Sequence, residues 1–314
     1  MIYPENQAIQ YLVNHLEDDA SATSSHWQKY HRDFKVGEEL DISGIIGFGG
    51  FSTEYTGLRK WAHRILQSKF RKFGYASPGF FSVDIIAAEM TKIQNRGYDL
   101  DVLRQSLTLS FLMNKLENQN WFSKDRTVAV IGDGFCSMSL LLLLTGFAKK
   151  VVLVNLSKTL LVDLIFLKKY IDRKSGLSFA LIQESPNNTE ENSFDLVALQ
   201  ATRHEIIQSM PIDLFINIAS MQEMDIDVIS AYFQDMREVA KKQDSYFYCC
   251  NRIEKTFPDG TTVRFGDYPW SNLDQVIVDE LCPWHQKYYS LKPPFYHPYD
   301  GPIQHRLIKI GKAF

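Results

Sequence analysis

The hexapeptide Gly132–Ser137 (GDGFCS) joins a β-branched run, Thr127–Ile131, to an apolar run, Met138–Phe147. Glycines at 132 and 134 let the backbone turn sharply and approach a ligand where a Cβ would otherwise stand. The string fits G-x-G-x-x-S, a blurred form of the dinucleotide fingerprint. Any tight strand-to-helix turn also favours glycine, so the loop needs support from its context. A second β-like run, Val151–Val154, ends at Asn155, 21 residues after Gly134. In nucleotide-binding sheets that position reaches ribose hydroxyls, and an Asn amide can both donate and accept there. Gly132, Asp133, Gly134, Phe135, Ser137, Asn155, Leu156 and Asn217 form the expected cofactor set. The loop alone leaves a dinucleotide and S-adenosylmethionine both open.

Two titratable residues stand out as proton acceptors. Glu223 follows the apolar run Ile212–Ile218, at the strand end where open α/β sheets bind ligands. Its bland role is charge complementarity at a helix N-terminus, with Asp225 and Asp227. His285, in CPWHQKYY, titrates near neutrality when unperturbed, and a structural histidine is the competing reading. Trp270, Trp284, Tyr288, Tyr289, Phe295 and Tyr296 offer aromatic faces for a sugar ring, or staple a loop-rich segment together. Arg252 and Arg264 suit an anionic group. Arg252, Trp270, Trp284 and Tyr288 are the expected substrate contacts. Asp267, Asp279 and Glu280 have no metal-ligand spacing, and no metal is expected.

These residues need a scaffold. Strand-like runs at Thr127–Ile131, Val151–Val154, Ser178–Ile182, Ile212–Ile218 and Ser245–Cys250 alternate with helical stretches over Met138–Phe147, Ser157–Tyr170 and Asp225–Lys241. That alternation predicts an α/β fold, a doubly wound, Rossmann-like, mostly parallel sheet. His305–Ile310 reads as one more strand after an irregular stretch rich in aromatics and prolines. Residues 1–120 read as a mainly helical extension, with helices at Ser82–Gly97 and Asp99–Leu116. The domain expected to bind the cofactor then covers 121–314, with an aromatic-rich segment over 251–314. The stretch Asp41–Gly57 holds Gly44, Gly47, Gly49, Gly50 and Gly57 and reads as a loop, either closing over a site or simply linking helices.

Composition narrows the function classes. The chain has 314 residues, 45% hydrophobic, with a formal net charge of -3 and no long basic block. Nucleic acid is therefore a poor expectation for the partner. The N-terminus lacks the apolar core of a signal peptide, and Leu140–Leu144 is far too short to span a bilayer. Cys136, Cys249, Cys250 and Cys282 read as reduced, buried thiols of a cytoplasmic protein. In a strand, Cys249 and Cys250 point to opposite faces. The Asn187-Asn188-Thr189 sequon carries no meaning without a secretory route.

Three stretches resemble the bacterial sugar O-methyltransferases, a family that uses S-adenosylmethionine. They are IDLFINIASMQEMDIDVISAYF from Ile212, YFYCCNRIEKTFPDGTTVR from Tyr246, and YPWSNLDQVIVDELCPWHQKYYSLKPPFYHPYDGPIQHRL from Tyr268. The glycine loop and Asn155–Leu167 look like the family's first two βα units, and SSHWQKYHRDF from Ser24 looks like its opening. The chain departs from the family's EIGGGYG and VDLPE patterns, reading VIGDGFC and VNLSK. The resemblance implies a class I methyltransferase fold, S-adenosyl-L-methionine as cofactor, and a small-molecule or glycan acceptor methylated on a sugar hydroxyl. A nicotinamide-dependent sugar oxidoreductase is the alternative enzyme. A non-catalytic binding protein is the other alternative, drawn from Val130, Cys136 and Asn155. The oligomeric state, including a homo-oligomer, stays open.

Overall fold

The computed structural model describes residues 1–20, 23–37, 40–45, 52–117, 121–174, 176–185 and 193–312. Gly47, Gly49 and Gly50 of the glycine-rich stretch, and the sequon at 187–189, lie outside the described residues. Nine strands build one sheet: β1 (Ile2–Pro4), β2 (Thr127–Ile131), β3 (Lys150–Asn155), β4 (Phe179–Ile182), β5 (Leu196–Gln200), β6 (Leu214–Ile218), β7 (Tyr246–Arg252), β8 (Gln275–Leu281) and β9 (Ile303–Lys309). Their order across the sheet is β1-β4-β5-β3-β2-β6-β7-β9-β8. The six strands from β4 to β7 run parallel. β9 runs antiparallel between β7 and β8, and β1 is antiparallel at the opposite edge.

The parallel strands are apolar along their whole length because both faces are covered. Val128, Val130, Val151, Leu153, Leu214 and Ile216 enter one core. Their neighbours Ala129, Ile131, Val152, Val154 and Phe215 enter the other. Cys250 and Cys249 follow the same alternation, one in each core. Eight α-helices are described: α1 (Glu5–Asn14), α2 (Ser25–His31), α3 (Gly57–Arg71), α4 (Phe80–Ile93), α5 (Leu100–Glu117), α6 (Ser137–Leu144), α7 (Ser157–Ile171) and α8 (Ile226–Lys242). Helices α4 to α7 bury their apolar residues in the first core, and α8 does so in the second. Helix α7 is buried almost all round, Ser157 to Leu167 without a break, because α1 and α4 pack against it as well as the sheet. Such an all-round apolar helix has to be internal.

Three strands of this sheet escape the sequence reading. The run Leu196–Gln200 inserts as β5 between β3 and β4, a place that periodicity cannot distinguish from a buried helical turn. Ile2–Pro4 pairs with β4 across the length of the domain, with Tyr3 opposite Leu181. Gln275–Leu281 is an edge strand with five of its seven residues exposed, so it lacks the apolar signature. Both core-facing helices of the extension start and stop within a few residues of expectation, α4 over Phe80–Ile93 and α5 over Leu100–Glu117.

Candidate active site

The order of the sheet reverses at β2: β3 lies on one side of it and β6 on the other. Ligands bind at such a switch point, outside the carboxyl ends of the strands. The glycine loop leaves β2 there with four left-handed positions interrupted only by Asp133: Gly132 at φ 71°, Gly134 at 78°, Phe135 at 60° and Cys136 at 53°. Non-glycine residues rarely hold positive φ, so neighbours must enforce it at Phe135 and Cys136. They do. The Cys136 N–H donates to Asp163 Oδ1 at 2.8 Å. The Phe135 ring is buried edge-on against Phe166, and the Arg96 guanidinium lies 4.4 Å from its centroid. Arg96 also donates to Ser137 Oγ at 3.1 Å and to the Phe135 carbonyl at 3.4 Å.

Two cavities meet at this switch point. The first, of about 330 Å³, is walled by Gly132–Phe135, Ser137, Asn155, Arg96, Arg104, Glu223, Arg252, His285 and Tyr299. The second, of about 320 Å³, is more apolar, with Val154, Leu156, Ala201, Met224, Val228 and Tyr232. Trp27, Asn155, Ser220 and Glu223 belong to both. Sharing these four residues, they adjoin as one cleft, charged at one end and more apolar at the other, where Asp19, Asp225 and Asp227 also reach the wall.

Electrostatics differ sharply along it. Burial raises the carboxyls of Asp133 and Asp163, and for Asp163 the neighbouring Asp133 adds to the effect. Arg96, itself pushed down by burial, is the nearby compensating charge. Glu223 is the opposite case. Burial works to raise it, but the His26 hydrogen bond and the Lys255 ammonium prevail, holding it below the usual carboxylate range. Lys255 Nζ stands 2.7 Å from Glu223 Oε1, and His26 Nε2 3.4 Å. Burial, then the Arg104 charge, takes the His285 imidazole well below its ordinary value.

The cleft gathers most of the residues expected from the sequence, but several serve the protein itself. Asp133 gives both oxygens to the first turn of α6, accepting from Met138 and Ser139 N–H at 2.8 and 2.7 Å. Asn155 donates to Asp163 and accepts from Leu156 N–H. Asn217 needs correction as a cofactor contact: it is fully buried and lines neither cavity. Its amide donates to the Ile131 carbonyl and accepts from Met221 N–H and Asn251 Nδ2, so it fixes the β6 turn. Phe135 lends only its backbone, since its ring is in the core.

The aromatic substrate contacts are corrected too. Trp270 donates to the Phe265 carbonyl and packs on Phe233 and Phe247 behind the sheet. Trp284 is buried, donating to Thr108 of α5. Tyr288 stacks on His297 in an outlying hairpin, Lys287–Tyr289 with Tyr296–Pro298. These rings hold the C-terminal segment together instead of lining the cleft. Arg252 does line it, paired with Asp300 at 2.9 Å. Arg264 pairs with Glu254 on the surface.

Sequence reasoning missed Trp27, Arg96, Arg104, Ser220 and Tyr299. Arg104 clamps α5 to the C-terminal segment through the Trp284 and Lys287 carbonyls. Its place among Leu100, Val102, Leu103 and Leu107 of an apolar helical run is the available signal: a charge there needs a partner.

The strand order, with an antiparallel strand set second from the edge, is that of the class I methyltransferase type of Rossmann-like sheet. It differs from the dinucleotide order 3-2-1-4-5-6. No family model matches the chain, and no curated protein matches it. Solved structures do. Against M. capricolum TrmK in complex with S-adenosyl-homocysteine, identity is 10% over 63% of this chain and 68% of that one, with a TM-score of 0.37. The methyltransferase domain of bacterial CtHen1 gives 12% over 68% and 100%, TM-score 0.37. The mitomycin 7-O-methyltransferase MmcR gives 14% over 67% and 57%, TM-score 0.34. No helix among the described residues is long and apolar enough to cross a membrane.

Proposed function

We propose that the protein is an S-adenosylmethionine-dependent O-methyltransferase acting on a hydroxyl of a sugar or sugar-containing molecule. The observation that carries the reading is the cleft: a charged cavity and a more apolar one sharing Asn155, Ser220 and Glu223 at the switch point. The cofactor has a matching division, a zwitterionic amino acid at one end and an adenine at the other. The apolar cavity beside Leu156 suits the adenine. The charged cavity, with Asp101, Arg96 and Arg104 in its wall, suits the amino-acid end. Gly134, at φ 78°, lines the charged cavity and gives the backbone its close approach there. When bound, the cofactor supplies a methyl already activated on a sulfonium.

The chain is left with alignment and proton removal. Trp27 and Tyr299 offer ring faces to a sugar, and Arg252 a charge to an anionic substituent. Glu223 is ionised and reaches both cavities, which makes it the better candidate for accepting the hydroxyl proton. His285 shares the wall, as a neutral imidazole. The sugar itself rests on the family resemblance of the C-terminal half.

Calorimetry with S-adenosylhomocysteine, S-adenosylmethionine and NAD(P), on the parent and on Gly134→Val, tests the reading. The adenosyl ligands should bind the parent only. A Val at that φ is strained by about 1–2 kcal/mol and blocks the backbone's approach. Preference for NAD(P) moves the protein to the oxidoreductases. Binding of none of them leaves a non-catalytic protein.

A further inference from the structure

Two thiols and an imidazole come together behind the cleft, in a place that the hydrogen-bonding scheme above does not use. The Sγ atoms of Cys250 and Cys282 and a ring nitrogen of His285 lie within 4.8 Å of one another, and all three residues are buried. Cys250 arrives from β7, on the face turned toward α5, with Cys249 turned away into the other core. Cys282 and His285 come from one turn, Cys282-Pro283-Trp284-His285, closed by the His285 N–H to the Cys282 carbonyl at 3.2 Å. The turn is pinned on both sides. The Cys282 N–H donates to Ile303 at 2.9 Å, and Gln286 Nε2 caps the Cys282 carbonyl at 2.8 Å.

A second observation concerns His285 alone. Its Nε2 is buried and has no hydrogen-bond partner among the described residues. A buried polar atom left this way carries its desolvation cost uncompensated, and native proteins seldom leave one without reason.

We propose that Cys250, Cys282 and His285 bind a zinc ion. Thiolate and imidazole donors are the set that zinc selects, and Cys282 and His285, with two residues between them in one turn, present theirs to the same point. Ligand atoms around tetrahedral zinc, at about 2.0–2.3 Å from the ion, stand about 3.5–4 Å apart. The cluster needs at most about 1 Å of closure for any pair to reach that separation. Charge also balances. Binding releases one proton from each thiol to solvent, and two thiolates with one divalent cation make a neutral centre suited to a buried site. Arg104 does not oppose it unscreened, since its guanidinium is committed to the Trp284 and Lys287 carbonyls and to Asp101. Tyr248, which bonds His305 at 3.1 Å, also reaches the Cys250 thiol and Thr108, so the cluster has a polar neighbour on that side. Three protein ligands leave one tetrahedral position for water or another small donor. His285 also lines the charged cavity, so a held ion takes its imidazole out of service as a proton acceptor. The site does not depend on which cofactor the cleft takes.

The test is metal retention by the full-length protein. Parent, Cys282→Ser, His285→Ala and Cys249→Ser are loaded with zinc, gel-filtered and assayed by mass spectrometry of the metal. The parent and Cys249→Ser should keep about one zinc per chain, and the other two should retain at least about tenfold less. Cobalt(II) added to the metal-free parent should give a thiolate-to-cobalt charge-transfer band and intense tetrahedral visible bands. That reading needs no variant, so it stands even if a substitution prevents folding. A parent that retains under about a tenth of an equivalent and shows no thiolate–cobalt band overturns the proposal. So does Cys249→Ser losing as much metal as Cys282→Ser.

Discussion

Asn155 at the end of β3 and Asp163 on α7 are joined by a 2.8 Å hydrogen bond from the Asn155 amide to the Asp163 carboxylate. The other Asp163 oxygen takes the Cys136 N–H of the glycine loop. One buried acid thus ties the first βα turn to the second strand and sets the spacing of the cleft. In the sequence Asp163 reads only as a polar residue inside an apolar helix, and its role appears once α7 is seen to pass beneath the loop.

This linkage reverses the expectation for Asn155→Asp. From position alone, a carboxylate there should preserve or strengthen ribose binding. In the structure it would put a second acid against Asp163, which burial and Asp133 already raise. Two carboxylates in contact cannot both ionise comfortably. The variant should melt lower than the parent at pH 8 and bind S-adenosylhomocysteine more weakly, by roughly 1–3 kcal/mol. The deficit should shrink at lower pH, where the pair shares a proton. Thermal melts across pH, with calorimetry at each, check this, and an unchanged melting temperature at pH 8 would count against the contact.

What the sequence reveals follows from how local the determinants are. Thr127–Ile131 and the glycine loop are specified within a dozen residues: β-branched apolar side chains, then two glycines, then an apolar helix. Their boundaries in the structure match. Glu223 follows from the rule that sites gather at strand ends, and it lines the cleft; Arg252, expected only as a charge for an anionic group, lines it too. Trp270 and Trp284 face the core and not a ligand, and their sequence context does not say so, because an aromatic in an irregular segment looks the same either way. Only the tertiary fold, in which Trp284 meets Thr108 across 176 residues, decides it. Trp27 and Arg96 were missed for the same reason, as they reach the cleft from a separate part of the chain.

His31 provides a pH test of the extension. Burial, with the Lys158 charge adding to it, lowers its imidazole to about 4. The folded state therefore binds this proton more weakly than the unfolded chain, whose histidine titrates near 6.5. The contribution to stability is complete above about pH 6.5 and is lost as pH falls toward 4. Each pH unit separating the folded and unfolded titrations is worth about 1.4 kcal/mol, so up to about 3 kcal/mol is at stake. His31→Gln should flatten the fall in melting temperature between pH 7 and 4, although it also costs some packing against Trp27. Parallel curves for variant and parent would place the acid sensitivity elsewhere.

The ion pair of Glu223 and Lys255 decides how Glu223 could serve in catalysis. Lys255 rises from the hairpin Glu254–Thr256 with Thr262–Arg264 to within 2.7 Å of Glu223. Its charge and the His26 hydrogen bond keep the carboxyl ionised in spite of burial. Lys255→Met removes the charge and lets burial act more strongly, so the Glu223 carboxyl rises. If proton removal by ionised Glu223 limits methyl transfer to a sugar hydroxyl, less of the working form exists at a given acidic pH. The low-pH limb of the rate profile should then move to higher pH, with the rate on the plateau largely kept. Glu223→Gln should instead lower the plateau by about 10²–10⁴-fold, the usual cost of a lost general base. Each variant needs its melting temperature and its S-adenosylhomocysteine affinity measured alongside, because breaking a buried pair costs several kcal/mol by itself. A panel of free sugars with labelled methyl donor supplies the assay. If Glu223→Gln turns over at the parent's rate and Lys255→Met leaves the limb in place, the pair only braces the hairpin against the β6 turn, and the proton leaves to solvent.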